Sequence, residues 1–312
     1  MPTEQDVRPV TDPNFASGHI TSPVLKGNPE DLRDLEAGLD KLQSDVQRKA
    51  GIDWSRVLLP IAALVVLILV WQFYVSLGLK RRDQVPGPLD VLGQMGVLWS
   101  EGKVQESVWT SLQRGLLGFL ISVVIATPVG LLLAQAAPLR RAFGPLISGL
   151  QVLPSVAWVP ASIIWFGLSD ATVYFVVFMG AIPSIINGLI SGVDQIPPQF
   201  RSVGKVLGAS RLQMALQIIL PAALPGYIGG LKQGWAFSWR SLMAAEIIAT
   251  GGTIGFGLGS LLDQGRLLSD MAIVMSAILL ILAVGILIEL LVFGPIEKRL
   301  LQRRGLLAGG TR

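Results

Sequence analysis

Three ionisable side chains, Lys232, Arg240 and Glu246, stand within the long apolar stretch Tyr227–Ala249. In a bilayer each such charge costs roughly 2.5–3.5 kcal/mol at a helix centre, so each must face protein or water. At about 100° per residue, Lys232, Trp235, Trp239, Met243 and Glu246 share one helix face, with Arg240 on its shoulder. That face is expected to line a cavity, where an arginine could hold an anion through its fork of donors. A structural reading stands beside it. Arg240 and Glu246 could pair with each other or across a dimer, and the tryptophans could be packing. Asn187 and Trp158 are further candidates for the cavity. Glu289 is expected to reach a neighbouring arginine or lysine.

The same inventory excludes other chemistry. The chain has no cysteine and a single histidine, His19, in a Gly/Ser/Thr-rich stretch. Disulfides and thiolate metal sites are therefore out, and one histidine assembles neither a metal site nor a nucleophile–base pair. Gly102-Lys103 and Gly204-Lys205 lack the Ser or Thr that completes a phosphate loop. The glycines of Gly251–Gly259 follow an apolar helix rather than a strand, so they are read as a loop outside the membrane. No enzyme activity, no cofactor in this chain and no nucleic-acid partner are expected.

The elements that must position these residues are membrane helices. Of 312 residues, 51% are hydrophobic and only 15% charged, against roughly 25% charged in soluble domains. The polar residues concentrate in the first fifty. Residues 1–28 are expected to be a disordered cytosolic tail. Residues 29–50 are expected to form a cytosolic helix, capped by Asn28 and opened by Pro29. Its stripe of Leu32, Leu35, Leu39, Leu42 and Val46 suits docking on a partner subunit, on its own protein or on the bilayer surface. No basic region followed at once by an apolar core opens the chain, so a signal peptide is not expected. Residues 55–300 carry six segments near the ~20 residues a span needs. These are Val57–Leu77, Leu112–Leu133, Leu146–Phe166, Thr172–Ser191, Tyr227–Ala249 and Met271–Phe293, with a tail at 301–312. Lys and Arg placement favours both termini in the cytosol, with Arg140, Arg141, Arg201, Lys205, Arg211, Lys298, Arg299, Arg303 and Arg304 inside. Lys80–Arg82, Lys103, Arg114 and Arg266 fall outside in that count. Pro128, Pro154, Pro160, Gly180 and Pro183 predict helices that bend around a pathway.

The polar stretch 194–221 separates the fourth and fifth segments. Pro197-Pro198 ends one helix and starts a short one, Gly208 breaks it, and Ser210 caps the next. Helix, turn, helix is predicted, with Val203, Val206 and Leu207 free to lie in a partner's groove. This stretch resembles the cytosolic EAA loop of ABC importer permeases. Gly208 is the motif glycine, and Ile218, Leu220 and Pro221 fall at the family spacing. Ser202, Val203 and Gly204 stand where Glu-Ala-Ala is usual, so docking carries over but the glutamate's contact does not. Gly208-Ala209-Ser210, Leu220–Gly226, Ala244-Ala245-Glu246, Ser111–Gly118 and Trp165-Phe166-Gly167 are similar to the sulfonate, taurine, nitrate and bicarbonate branch.

The resemblance covers about residue 55 to the C-terminus. It implies an all-α membrane protein with six transmembrane helices of the type I ABC importer permease fold, in a bacterial inner or plasma membrane. It implies a second permease copy, two ATPase subunits that hold ATP and Mg, and an extracytoplasmic solute-binding protein or lipoprotein. Arg201, Ser202, Val203, Gly204, Lys205, Leu207, Gly208, Ala209, Ser210 and Arg211 are then the ATPase-coupling residues. Transport would proceed by alternating access. An aliphatic sulfonate or taurine is the favoured solute, with nitrate, bicarbonate and vitamin precursors open. An ion-coupled carrier and a membrane scaffold are the rival classes.

Overall fold

A computed structural model describes residues 55–81 and 83–304, together with Gly38. His19, the expected tail at 1–28, the expected helix at 29–50 and residues 305–312 of the expected C-terminal tail lie outside the described residues. The chain divides into two compact units, Met1–Ile61 and Ala62–Gly310. Of the first, Gly38 and the opening turns of one helix are described.

All regular structure among the described residues is helical. Helix α1 is Ser55–Ser76, α2 Pro88–Ser100, α3 Lys103–Gln135, α4 Ala137–Val152, α5 Val159–Phe166, α6 Asp170–Asp194 and α7 Pro198–Val206. Then come α8 over Arg211–Ile248, α9 over Leu258–Leu267 and α10 over Met271–Arg303. By length and composition, five helices can cross a membrane, or six if α4 and α5 make one broken span. The all-α expectation with six spans holds in that form.

The third segment departs from the expected Leu146–Phe166. Its two halves, Ala137–Val152 and Ser155–Phe166, meet at 95°. Pro154 has no N–H to continue the ladder, and Leu153 before it is extended at φ −66°, ψ 125°. A 3₁₀ turn, Ser155–Trp158, leads into α5. Gly167, at φ +69°, then turns the chain into α6, where the Thr172 hydroxyl donates to the Gly167 carbonyl at 2.6 Å.

Other helices outrun their apolar segments, because polar turns continue the backbone ladder past the bilayer's edge. Helix α3 begins at Lys103, α8 at Arg211, and α10 runs on to Arg303. Two π-helical segments interrupt them, Met214–Ile219 in α8 and Glu289–Phe293 in α10. Each stops just before a proline, Pro221 or Pro295. A proline inside an α-helix lacks a donor and clashes with the carbonyl four residues back. The wider π turn moves that carbonyl aside, with Leu220 N–H donating to Ala215 and Gly294 N–H to Glu289.

The core forms where α6 crosses α8. Gly188 and Gly192 of α6 face Gly230 and Gly226 of α8, each pair at a four-residue spacing. A Cβ on Gly230 would stand 2.6 Å from the Gly188 Cα, and one on Gly226 2.7 Å from the Gly192 Cα. The partners run in opposite order, so the helices are antiparallel. Backbones approach this closely only over small residues, the usual solution for helices that gain no hydrophobic advantage over lipid. Helix α3 packs alongside, where Gly118 and Gly130 admit Val177 and Leu189. Phe119 meets Trp235 edge-on at 5.5 Å between ring centroids. Helices α2 and α9, which apolar segments did not announce, join the starts of α3 and α10 in a smaller cluster of Leu98, Val104, Leu261, Ile273 and Ala277. Helix α1 leaves Leu59, Leu64, Leu67 and Phe73 exposed, as suits a lipid-facing span.

Candidate functional site

The Gly208 turn is built by local rules. Ala209 N–H donates to the Gly204 carbonyl and Gly208 N–H to Lys205, both at 3.0 Å. This pair of bonds is a Schellman termination of α7, and it needs a left-handed residue at Gly208, where φ is +72°. Space does not demand the glycine, since nothing lies within 4 Å of a Cβ placed there. Ser210 and Gln213 then form a reciprocal capping box at the start of α8, with bonds of 2.8 and 3.3 Å.

Gly204 is different. It is buried, and a Cβ on it would lie 2.6 Å from both Met214 Cε and Ile218 Cδ1. It seats α7 directly on the π segment of α8. The opposite face is bare, with Val203 55%, Val206 87% and Leu207 77% exposed. Arg201, Ser202, Lys205, Ser210 and Arg211 are exposed beside them, and Ala209 is half-buried. The ten expected coupling residues thus share one small element. Ser202, in the place of the usual glutamate, donates to the Pro198 carbonyl of its own helix. Beside α7 lies a groove of about 720 Å³ bordered by Phe200, Val203, Leu207, Ile218, Pro221 and Arg304. Arg304 donates to the Pro221 and Ala222 carbonyls, linking the end of α10 to this corner.

The expected cavity-lining face of α8 is divided among different neighbours. Trp235, Trp239, Met243 and Glu246 are packed inside the subunit rather than along an open cavity. Helices α3, α6 and α10 enclose α8 on that side, because tryptophan rings on one stripe attract apolar neighbours as readily as solvent lining. Trp239 stacks on Trp235 at 5.8 Å and donates its indole N–H to the Ile281 carbonyl. Lys232 pairs with Glu289 at 2.7 Å and Glu297 at 2.9 Å, so Glu289 meets the lysine of α8. Of the six residues, Arg240 borders a pocket. Its guanidinium lies 4.5 Å from the Phe237 ring centroid, and its Nε donates to the Ala236 carbonyl. The pocket holds about 260 Å³ at the break after α4, between Gln151, Ser155, Met179, Phe237, Arg240 and Ala244. Asn187 donates to Gln151 Oε1 at 2.6 Å beside it. Trp158 instead packs edge-on against Phe175.

Arg240 and Glu246 are not partners. The Glu246 carboxylate is fully buried, and it accepts from the Ser111 hydroxyl at 2.7 Å, the Gly259 N–H at 3.0 Å and Arg114 at 3.4 Å. Arg114 also holds Asp170 at 2.6 Å and the Gly255 carbonyl at 3.1 Å. A carboxylate at the start of α9 is favoured by the helix's free N–H groups. Gly257 and Gly259 are needed there because a side chain on either would collide with Glu246. The glycine run excluded as a nucleotide loop is therefore the seat of a buried ion network. Ser111, Arg114, Asp170, Gly257 and Gly259 were not expected in it. The signal available was the three-residue spacing of Ser111 and Arg114 on one face of α3, which the charge count had treated as external.

Comparison with known proteins follows the same outline. Residues 126–302 match the family described as binding-protein-dependent transport system inner membrane component. The chain is 30% identical over 245 residues to the bicarbonate transport system permease protein of Synechococcus elongatus, covering 75% of this chain and 86% of that protein. It is 29% identical over 254 residues to the taurine transport system permease protein of Escherichia coli, covering 80% and 89%. It is 28% identical to the nitrate import permease protein of Synechocystis, covering 75% and 86%. Among solved structures, the MetNI methionine ABC transporter in an inward-facing conformation matches with a TM-score of 0.55 at 20% identity, covering 62% of this chain and 94% of that one.

Proposed function

The chain belongs to the family of binding-protein-dependent transport system inner membrane components, and from that premise we propose that it carries a small anion inward, driven by a partner ATPase docked on α7. As an ABC permease subunit it is a multi-pass inner membrane protein and not itself catalytic, since ATP hydrolysis belongs to separate ATPase subunits. The proposed assembly is two copies of this chain, two ATPases that bind ATP and Mg, and a binding protein on the outer side. The Gly208 end then faces the cytosol, with both termini.

The observation that carries the coupling reading is α7 itself. It exposes Val203, Val206 and Leu207 while Gly204 locks its other face to the π segment of α8. A push on α7 passes into a long membrane helix without an intervening flexible joint. The relatives' solutes are taurine, nitrate and bicarbonate, each carrying an oxoanion group. An aliphatic sulfonate or taurine is the favoured solute here.

The test is Gly208→Val in the complete transporter, reconstituted in proteoliposomes. A β-branched residue resists φ near +72°, so the turn should distort while the spans still insert. ATP hydrolysis should persist and uptake should fall. Uptake equal to that of the parent protein would sink the coupling role. Mass spectrometry of the ligand carried by the cognate binding protein identifies the solute, and uptake that survives loss of the ATPase would favour an ion-coupled carrier instead.

A further inference from the structure

Three basic side chains stand well inside spanning helices: Arg114 in α3, and Lys232 and Arg240 in α8. Arg114 has Asp170 and Glu246, and Lys232 has Glu289 and Glu297. Arg240 has no carboxylate among the described residues. Its Nε is spent on the Ala236 carbonyl and its plane lies over the Phe237 ring, while its two Nη groups have no protein acceptor among the described residues. An unmatched cation at membrane depth marks a place where the missing charge comes from elsewhere.

The pocket beside it indicates what that charge is attached to. Besides Arg240, the polar side chains on its wall are Gln151 and Ser155. Both accept a hydrogen bond, Gln151 Oε1 from Asn187 and the Ser155 hydroxyl from Ser241, so each keeps an N–H or O–H to donate. The rest of the wall is apolar, with Met179, Phe237 and Ala244 on the side away from the break. A bare inorganic anion would meet these few donors on one side only and give up its water to an apolar wall on the others. An anion with a hydrocarbon part keeps the Arg240 fork for its head and the apolar wall for its body.

We infer that the permease itself holds a solute subsite at the break of its third span, in which Arg240 takes the anionic head of an aliphatic sulfonate-type anion and Met179, Phe237 and Ala244 take its hydrocarbon part. This rests on the import reading above and adds selectivity within the membrane to that of the binding protein.

The native chain lacks cysteine, so Ala244→Cys introduces a single thiol at the pocket. In the full permease–ATPase complex in nanodiscs, labelling of the permease by N-ethylmaleimide is followed with and without ethanesulfonate. Ethanesulfonate should slow labelling about tenfold, nitrate at equal concentration much less, and added Arg240→Gln should abolish the protection. Arg240→Lys, which keeps the charge but not the fork, should retain part of it. Labelling without ethanesulfonate reports whether the pocket is intact in each variant. Protection that persists in Arg240→Gln, no protection in the Arg240 protein, or equal protection by nitrate would each overturn the subsite. ATP-driven ethanesulfonate uptake by the parent transporter is measured in parallel. Its absence alongside Arg240-dependent protection would strike the import reading and leave the subsite standing.

Discussion

Glu246 and Arg240 lie six residues apart on one helix and do opposite work. Glu246 is buried with Ser111, Arg114 and Gly259 around it, and it joins α3, α8 and α9 through hydrogen bonds to its carboxyl group. Removing one partner from such a site leaves the others unpaired in a poor solvent. Glu246→Ala should therefore cost about 3–5 kcal/mol of stability. The check is the thermal unfolding midpoint in detergent, where an unchanged midpoint would remove the structural role. Glu246→Gln keeps the shape and one acceptor, and should lose less. Arg240 is exposed and makes a single backbone bond among the described residues. Arg240→Ala should shift stability by no more than about 0.5 kcal/mol in the same measurement. The residue names alone, two charges in an apolar stretch, do not separate these roles. The Glu246 partners Ser111 and Arg114 come from a helix more than a hundred residues away in the chain, whereas Arg240 touches only its own helix among the described residues.

At the level of elements, the α6–α8 crossing is the joint on which the subunit depends. Gly188 and Gly192 meet Gly230 and Gly226 backbone to backbone. A single methyl on Gly230 must push two main chains apart, so Gly230→Ala should destabilise by about 1–3 kcal/mol. Gly229, its neighbour, has open space at its Cβ, and Gly229→Ala should be neutral or slightly stabilising. Unfolding of the two variants side by side checks the contrast, and equal effects would show that the close approach is not limiting. The π segments before Pro221 and Pro295 belong to the same scale. The Ile218-x-Leu220-Pro221 pattern was legible as a motif in the sequence. Its physical content, a widened turn that makes room for a proline and receives Gly204, was not.

Across the whole molecule the question is which end faces which compartment. The Gly208 end gathers Arg201, Lys205, Arg211 and Arg304, and Arg140 there holds Asp194 at 2.7 Å. Positive charge favours the cytosol. In the cysteine-free chain, Gln302→Cys, exposed near the end of α10, should resist a membrane-impermeant maleimide in intact cells and react in inverted vesicles. Thr253→Cys, exposed in the loop before α9, should do the reverse. Swapped reactivities would invert the topology. Much of the molecule was readable without coordinates. Long apolar runs announce membrane helices because a bilayer demands some twenty apolar residues in a row. The Pro-Pro, Gly and Ser signals of 194–221 announce helix, turn and helix, because caps and left-handed turns are set by neighbours a few residues away. The tertiary structure alone decided which face of α8 is buried, that Glu246 belongs to Arg114 and Ser111, and that Arg240 is left without a counter-charge among the described residues. Helical periodicity shows which residues share a face. What that face meets depends on how other helices cross it, and glycines that let backbones touch at 188, 192, 226 and 230 set that crossing.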